Sequence, residues 1–293
     1  MTELHDSTPG AQLVVDGLTV RYGGPTGPAA LDDVSFTLEQ GSRVALVGES
    51  GSGKTTLALA IGGFLTTSTV DVQSGRFEFE GRALSARPSG PSPLPKRIPG
   101  IAMVFQDAMT SLDPTWTIGS QLRAVLRGNE KASRKALDAR AAEWLRKVRL
   151  DDTDRVLAAR PYELSGGMRQ RVMMALALCG DPRLIIADEP TSALDASLAR
   201  STMDLLLELT EERGASLLLV SHDIQLCREF TERMLVMYHG RMVDNVDSDA
   251  ADREAQHPYT KGLLRCVPTL DSVDSPRLPT LTDYFDPSTE RAA

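Results

Sequence analysis

The apolar run Val44-Ala45-Leu46-Val47 ends in Gly48-Glu49-Ser50-Gly51-Ser52-Gly53-Lys54-Thr55, and a helical pattern, Thr55-Thr56-Leu57-Ala58-Leu59-Ala60, follows at once. This passage from strand through glycine loop to helix restricts the fold more than any other part of the chain. A short strand without polar alternation has to be covered on both faces, as in a parallel sheet flanked by helices. The loop fits G-x-x-x-x-G-K-[ST] in the strand–loop–helix context that the motif requires. Its glycines let backbone N–H groups curl around phosphate oxygens, and the helix turns its positive N-terminus toward them. Gly48, Ser50, Gly51, Ser52 and Gly53 are then the cradle. Lys54 reaches the β- and γ-phosphates, Thr55 offers a hydroxyl to Mg²⁺, and Thr56 joins the nucleotide-binding residues.

The remaining pattern agrees with a parallel α/β core. Leu13 to Tyr22, Val34 to Leu38 and Arg76 to Glu80 alternate like half-buried strands. Ile101 to Phe105, Leu184 to Ala187, Ser216 to Ser221, Met234 to Tyr238 and Arg241 to Val246 also read as strands. From about Trp116 to Arg160 the text turns helical, with Ile118, Leu122 and Val125 in phase, then Ala132 to Val148. Helical spacing returns over Leu198 to Glu212, and strand–helix–strand alternation implies parallel pairing. Pro88, Pro91, Pro93, Pro95 and Pro99 mark an exposed loop. The polar, acidic, proline-bearing tail after Asp247 is expected to be partly irregular.

Composition removes several function classes. Lys+Arg 32 against Asp+Glu 40 gives a net charge of −8, so no basic excess points to nucleic acid. No apolar run approaches the roughly 18 residues of a membrane helix, and the polar N-terminus lacks a signal-peptide core. Cys179, Cys227 and Cys266 are scattered without zinc or disulfide spacing, which suits a reducing cytoplasm. His5, His239 and His257 show no metal spacing either.

A second phosphate-binding helix start lies more than a hundred residues after the first. Ser165 is an N-cap residue, followed by Gly166, Gly167 and the helical Met168 to Leu178. These three can bind a terminal phosphate, or form an ordinary cap with a flexible start. Leu184-Ile185-Ile186-Ala187-Asp188-Glu189 is an apolar strand ending in two carboxylates. Asp188 suits outer-shell Mg²⁺ binding, and Glu189 is placed to polarise a water for attack on the γ-phosphate. Gln106 ends another strand, where its amide can touch Mg²⁺ or that water. Ser221-His222-Asp223 cannot be a catalytic triad, because consecutive residues at a strand end point apart. His222 fits better as a γ-phosphate contact. Tyr22 can stack on a purine ring or pack locally; its position allows both.

Together these residues resemble an ABC-transporter ATPase over roughly residues 12 to 246. The family order is present: an aromatic (Tyr22), Walker A (Gly48 to Thr55), Q-loop (Gln106), signature (Leu164 to Gln170), Walker B (Leu184 to Glu189), D-loop (Ser192-Ala193-Leu194-Asp195) and H-loop (His222). The resemblance implies a P-loop NTPase core with an antiparallel β subdomain and an inserted helical subdomain. It implies an ATPase domain over 12–250, with the helical insertion at about 107–165, and a C-terminal extension over 251–293. It also places Asp195 among the nucleotide-binding residues, and Ser165, Gly166 and Gly167 on the ATP of a partner subunit.

A narrower likeness is carried by Val104 to Pro114, Glu163 to Arg171 and His257-Pro258-Tyr259-Thr260-Lys261-Gly262-Leu263-Leu264. These segments look like the oligopeptide/dipeptide/nickel importer ATPases. The implied function is ATP hydrolysis that energises peptide uptake across a bacterial inner membrane, on its cytoplasmic face. Nickel or metallophore uptake is the alternative, and a soluble ABC ATPase of DNA repair or translation is a further one. The His-Pro-Tyr segment argues against an exporter. Implied partners are a second ATPase subunit, identical or not, two permeases docking on about 107–165, and a periplasmic or lipid-anchored solute-binding protein. No nucleic-acid partner is expected. ATP and Mg²⁺ are the implied ligands. Many members carry a cysteine cluster after the His-Pro-Tyr segment, whereas this tail holds only Cys266, so no iron–sulfur cluster is expected. Ala108 and Asp113 stand where the family often has Pro and Asn, a change of partner surface more than of chemistry.

Overall fold

The computed structural model describes residues 10–65, 70–85, 98–107, 111–129, 132–192, 194–267 and 280–285. The chain divides into two compact units, Met1–Pro95 with Leu219–Ala293, and Lys96–Leu218.

In the first unit the strand Ala11–Tyr22 pairs antiparallel with Ala29–Glu39 on one side, and with Arg76–Phe79 and Val70–Gln73 on the other. Leu13, Val15, Leu18 and Val20 are buried, so the alternation slips by one residue between Val15 and Leu18. A bulge produces that slip: the pairing register shifts there, and Gly17 sits at φ +62° with its N–H on Ser35 Oγ. The glycine takes a left-handed conformation that would strain a side chain. Further strands of the unit are Arg82–Ala83, paired antiparallel with Arg76–Phe79, Arg43–Val47, paired in parallel with Arg233–Tyr238, and Arg241–Asp247, which pairs antiparallel with Arg233–Tyr238. Leu46 and Val47 are essentially inaccessible, as the unbroken apolar run requires. The helix Lys54–Gly62 buries Leu57, Ala58, Ala60 and Ile61 and ends on Gly63 in the left-handed C-cap conformation.

The described residues of the tail include short helical elements. Helices Ala251–Glu254 and Pro258–Arg265 and a 3₁₀ turn at Leu281–Asp283 follow the last strand. Proline at the first position and the His257 imidazole, which accepts the Tyr259 N–H, start the second helix. Asp244 receives the Gln256 and His257 N–H groups and ties this helix to the strand Arg241–Asp247. Tyr259 and Leu264 supply its buried face. Sequence periodicity misses this because the helix spans barely two turns.

The second unit holds a parallel pair, Ile101–Val104 with Leu184–Asp188. Between these strands lie helices Ile118–Asn129, Arg134–Lys147, Thr153–Ala158 and Gly166–Leu178. They cover the block read as helical from sequence, and Leu122, Leu137, Ala141, Leu145 and Val156 form its interior. Ser133 caps the second of them by accepting the Ala136 N–H. Helix Ala196–Glu211 follows, and the chain returns to the first unit along the strand Ser216–Ser221. Most of the proline-rich stretch lies outside the described residues. No helix among the described residues is long and apolar enough to cross a membrane.

Candidate functional site

The glycine loop is built so tightly that two of its positions exclude any side chain. A Cβ on Gly48 would stand 2.3 Å from the Met237 carbonyl oxygen, and one on Gly53 would stand 2.5 Å from that of Ala30. Both glycines have positive φ, +150° and +107°. The loop is pinned to its neighbours through Gly240, whose N–H donates to the Ser52 carbonyl. Within this cradle Lys54 is only 6% exposed. Its ammonium donates to the carbonyls of Gly48 (2.7 Å) and Glu49 (2.8 Å), with Ser52 Oγ at 3.4 Å. A buried ammonium must be hydrogen-bonded, and loop carbonyls are partners that phosphate oxygens can replace. Thr55 is exposed at the second position of the helix. The loop therefore fits a polyphosphate. The Tyr22 hydroxyl lies 3.5 Å from Thr56 Oγ1, which brings the aromatic residue to the first turn of the same helix.

His222 is exposed just after the strand Ser216–Ser221. Its neighbours have other work: Ser221 Oγ accepts the Asp223 N–H, and Asp223 caps the helix Ile224–Phe230 through the Leu226 N–H. That arrangement excludes a Ser-His-Asp triad, as the sequence indicated.

The second unit assembles the carboxylate end of the chemistry. Asp188 closes its strand at 5% exposure. Glu189 follows at φ +45°, a left-handed conformation that costs about 1–3 kcal/mol in a non-glycine residue and is held where surroundings impose it. The imposing contacts include the Ser192 N–H (3.2 Å) and Oγ (3.1 Å), both donating to the Glu189 carbonyl. Gln106 Nε2 donates to Glu189 Oε2 at 3.0 Å, so two residues 83 positions apart form one unit.

Ser165 Oγ accepts the Met168 N–H and caps the helix Gly166–Leu178. Gly166 and Gly167 are its first residues, in ordinary helical geometry. A Cβ on either would meet nothing closer than 3.5 Å. The internal packing of this chain does not call for glycine there. Gln170, at the end of the signature stretch, is buried, and its amide donates to the Pro190 carbonyl directly after Glu189. It ties the glycine-bearing helix to the carboxylate turn. Asp195 caps the helix Ala196–Glu211 through the Leu198 N–H. Tyr22, Gly48 to Thr56 and His222 thus lie in one unit, and Gln106, Ser165 to Gly167, Asp188, Glu189 and Asp195 in the other. Among the described residues no His, Cys, Asp or Glu cluster could hold a metal ion by itself.

Residues 31–192 match the ABC transporter family. The chain is 39% identical to the oligopeptide transport ATP-binding protein AppD of Bacillus subtilis, over 83% of this chain and 74% of that protein. It is 41% identical to the dipeptide transport ATP-binding protein DppD of Haemophilus influenzae, over 88% and 78%. A solved dimeric ATP-binding cassette in a post-hydrolysis state, bound to ADP and Pi, superposes with a TM-score of 0.64 at 28% identity, over 80% of this chain and 98% of that one.

Proposed function

Since this chain belongs to the ABC transporter family, we propose that it is the ATP-binding and ATP-hydrolysing subunit of an importer that takes up peptides. One observation carries the nucleotide assignment: the buried ammonium of Lys54, gathered onto loop carbonyls inside a cradle where a Cβ does not fit. The peptide assignment is supported by the relatives, whose names denote oligopeptide and dipeptide transport.

In this mechanism Lys54 exchanges its loop carbonyls for the β- and γ-phosphates, and the loop N–H groups with Ser50, Gly51 and Ser52 hold the remaining oxygens. Tyr22 stacks on the purine. Thr55, Asp188 and Gln106 are the residues that would hold Mg²⁺, which when bound draws negative charge from the phosphate oxygens. Glu189 orients the attacking water and takes its proton. Gln106 sets the rotamer of Glu189 by donating to its carboxylate, and His222 contacts the γ-phosphate. Ser165, Gly166 and Gly167 serve the ATP of a second ATPase subunit, and Asp195 is a further nucleotide-binding residue. Two glycines at a helix start cost conformational stability that alanine would recover, at most about 1 kcal/mol each, the value for a helix interior. Their retention is accounted for by a phosphate approaching from outside the chain. Residues 12–250 form the ATPase domain, about 107–165 meets the permeases on the cytoplasmic face of the membrane, and 251–293 is an extension.

Gly167→Asp tests the shared site. Its side chain has room, so the fold and the nucleotide affinity of the single subunit are expected to stay within about twofold of wild type. Turnover is expected to fall by about 10²-fold or more, because a carboxylate then faces a phosphate. Equilibrium binding of a fluorescent ATP analogue, alongside steady-state ATPase assays, separates the two. Loss of binding by the isolated subunit would overturn the in-trans role. Cargo is tested by uptake in cells lacking this subunit: labelled peptide uptake is expected to be lost and nickel uptake kept, and the reverse would replace peptide by metal.

A further inference from the structure

The C-terminal extension reaches the nucleotide loop through the side chain of Tyr259. Tyr259 is fully buried, and its hydroxyl accepts the Glu49 N–H at 2.8 Å, across 210 residues of sequence. The carbonyl of that same peptide unit, on Gly48, accepts the Lys54 ammonium at 2.7 Å. The Gly48–Glu49 peptide is therefore held from both ends, by the phosphate-binding lysine on one side and by the extension on the other. The neighbouring strand Arg233–Tyr238 offers a third constraint, since its Met237 carbonyl stands where a Cβ on Gly48 would lie.

The hydroxyl is itself held firmly. The Tyr259 ring packs on Tyr238 (centroids 4.4 Å) and Phe285 (5.6 Å), and Tyr238 directly follows the Met237 that abuts Gly48. The Tyr259 N–H is fixed on His257, and the His257 N–H on Asp244. Burial pushes the phenol up to about 12, so it stays a neutral hydroxyl at any working pH.

We propose that Tyr259 is a positioning residue for ATP binding: through the Gly48–Glu49 peptide it sets the loop and the Lys54 ammonium, and so makes nucleotide affinity depend on the C-terminal extension. This rests on the ATPase assignment above. A loop anchored before the nucleotide arrives loses less freedom on binding, and the anchor acts on affinity more than on the chemical step.

The test is Tyr259→Phe in the full chain, which keeps the ring and removes only the acceptor. Two readouts are compared with wild type. In the nucleotide-free protein, hydrogen–deuterium exchange over residues 48–54 is expected to accelerate by about tenfold, with the helix Gly166–Leu178 unchanged. In solution, Kd for a fluorescent ATP analogue and KM for ATP are expected to rise together, by about fivefold to tenfold, the scale of one buried hydrogen bond. kcat is expected to stay within about twofold. A merely structural defect would lower the active fraction, hence kcat, at unchanged KM. Unchanged exchange, or unchanged Kd where wild type binds ATP, overturns the proposal and leaves the ATPase assignment standing. A wild-type protein that binds no ATP sinks that assignment, while the exchange result still decides whether Tyr259 anchors the loop. If Tyr259→Phe does not fold, Phe285→Leu carries the same comparison, because it thins the wall behind the ring and keeps the hydroxyl.

Discussion

Glu189→Gln is expected to lower kcat for ATP by about 10²–10⁴-fold, the range that one general base contributes. Nucleotide binding should survive, because the amide is isosteric and the loop that grips the phosphates is untouched. The amide replaces the oxygen that accepts the Gln106 Nε2 hydrogen bond with a group that can rotate to accept it still. Geometry at the turn is thus preserved while proton acceptance is lost. The left-handed backbone at Glu189 is imposed by Ser192 and unaffected by the side-chain change. If, as proposed, two subunits pair on ATP and hydrolysis reopens them, ATP should accumulate a closed dimer. Single-turnover ATPase measurements and size-exclusion chromatography with ATP check both halves. Undiminished turnover would remove Glu189 from the mechanism.

Gly48→Ala is expected to abolish useful nucleotide binding, weakening it by at least about 10²-fold, the loss of two charge-assisted hydrogen bonds at about 1.5–3 kcal/mol each. The added methyl has to occupy space 2.3 Å from the Met237 backbone oxygen, so either the loop or the strand Arg233–Tyr238 must move. Moving the loop displaces the Gly48 carbonyl that holds Lys54. Gly51→Ala is the control within the same motif. Gly51 also has positive φ, +83°, but its Cβ would meet nothing within 4 Å. It should carry only the backbone strain, about 1–3 kcal/mol, and keep measurable affinity. Isothermal titration of both variants with ATP, against thermal melts, separates the clash from the strain. Equal losses in the two would mean that the Met237 contact is irrelevant.

Much of the fold could be read from local pattern. The unbroken run Val44 to Val47 and the alternation in Leu13 to Tyr22 appear as a buried parallel strand and a half-buried antiparallel one. Short or compensated elements escaped: the strand Val70–Gln73, the seven-residue helix Ile224–Phe230 and the helices of the tail. Each is too short to show a period, and each is held by contacts with residues distant in the chain. The bulge at Gly17 is visible in hindsight as a one-residue phase slip in the apolar alternation, Val15 to Leu18.

The site divides along the same line. Phosphate chemistry demands particular groups at fixed local spacing, so Gly48 to Thr55 and Asp188-Glu189 stand out as candidates without coordinates, while Ser165 to Gly167 read equally as an ordinary helix cap. Their local geometry is set by nearest neighbours: glycine freedom, caps and the ends of apolar strands. No such rule links Gln106 to Glu189, Gln170 to Pro190 or Tyr259 to Glu49. Those pairs exist because packing of distant elements brings them within hydrogen-bond reach, and each side chain is chemically unremarkable alone. The sequence by itself therefore determined which chemistry the chain carries. Only the tertiary structure decided which residues hold that chemistry in place, since proximity between distant segments is a property of the packed core and not of any local run of residues.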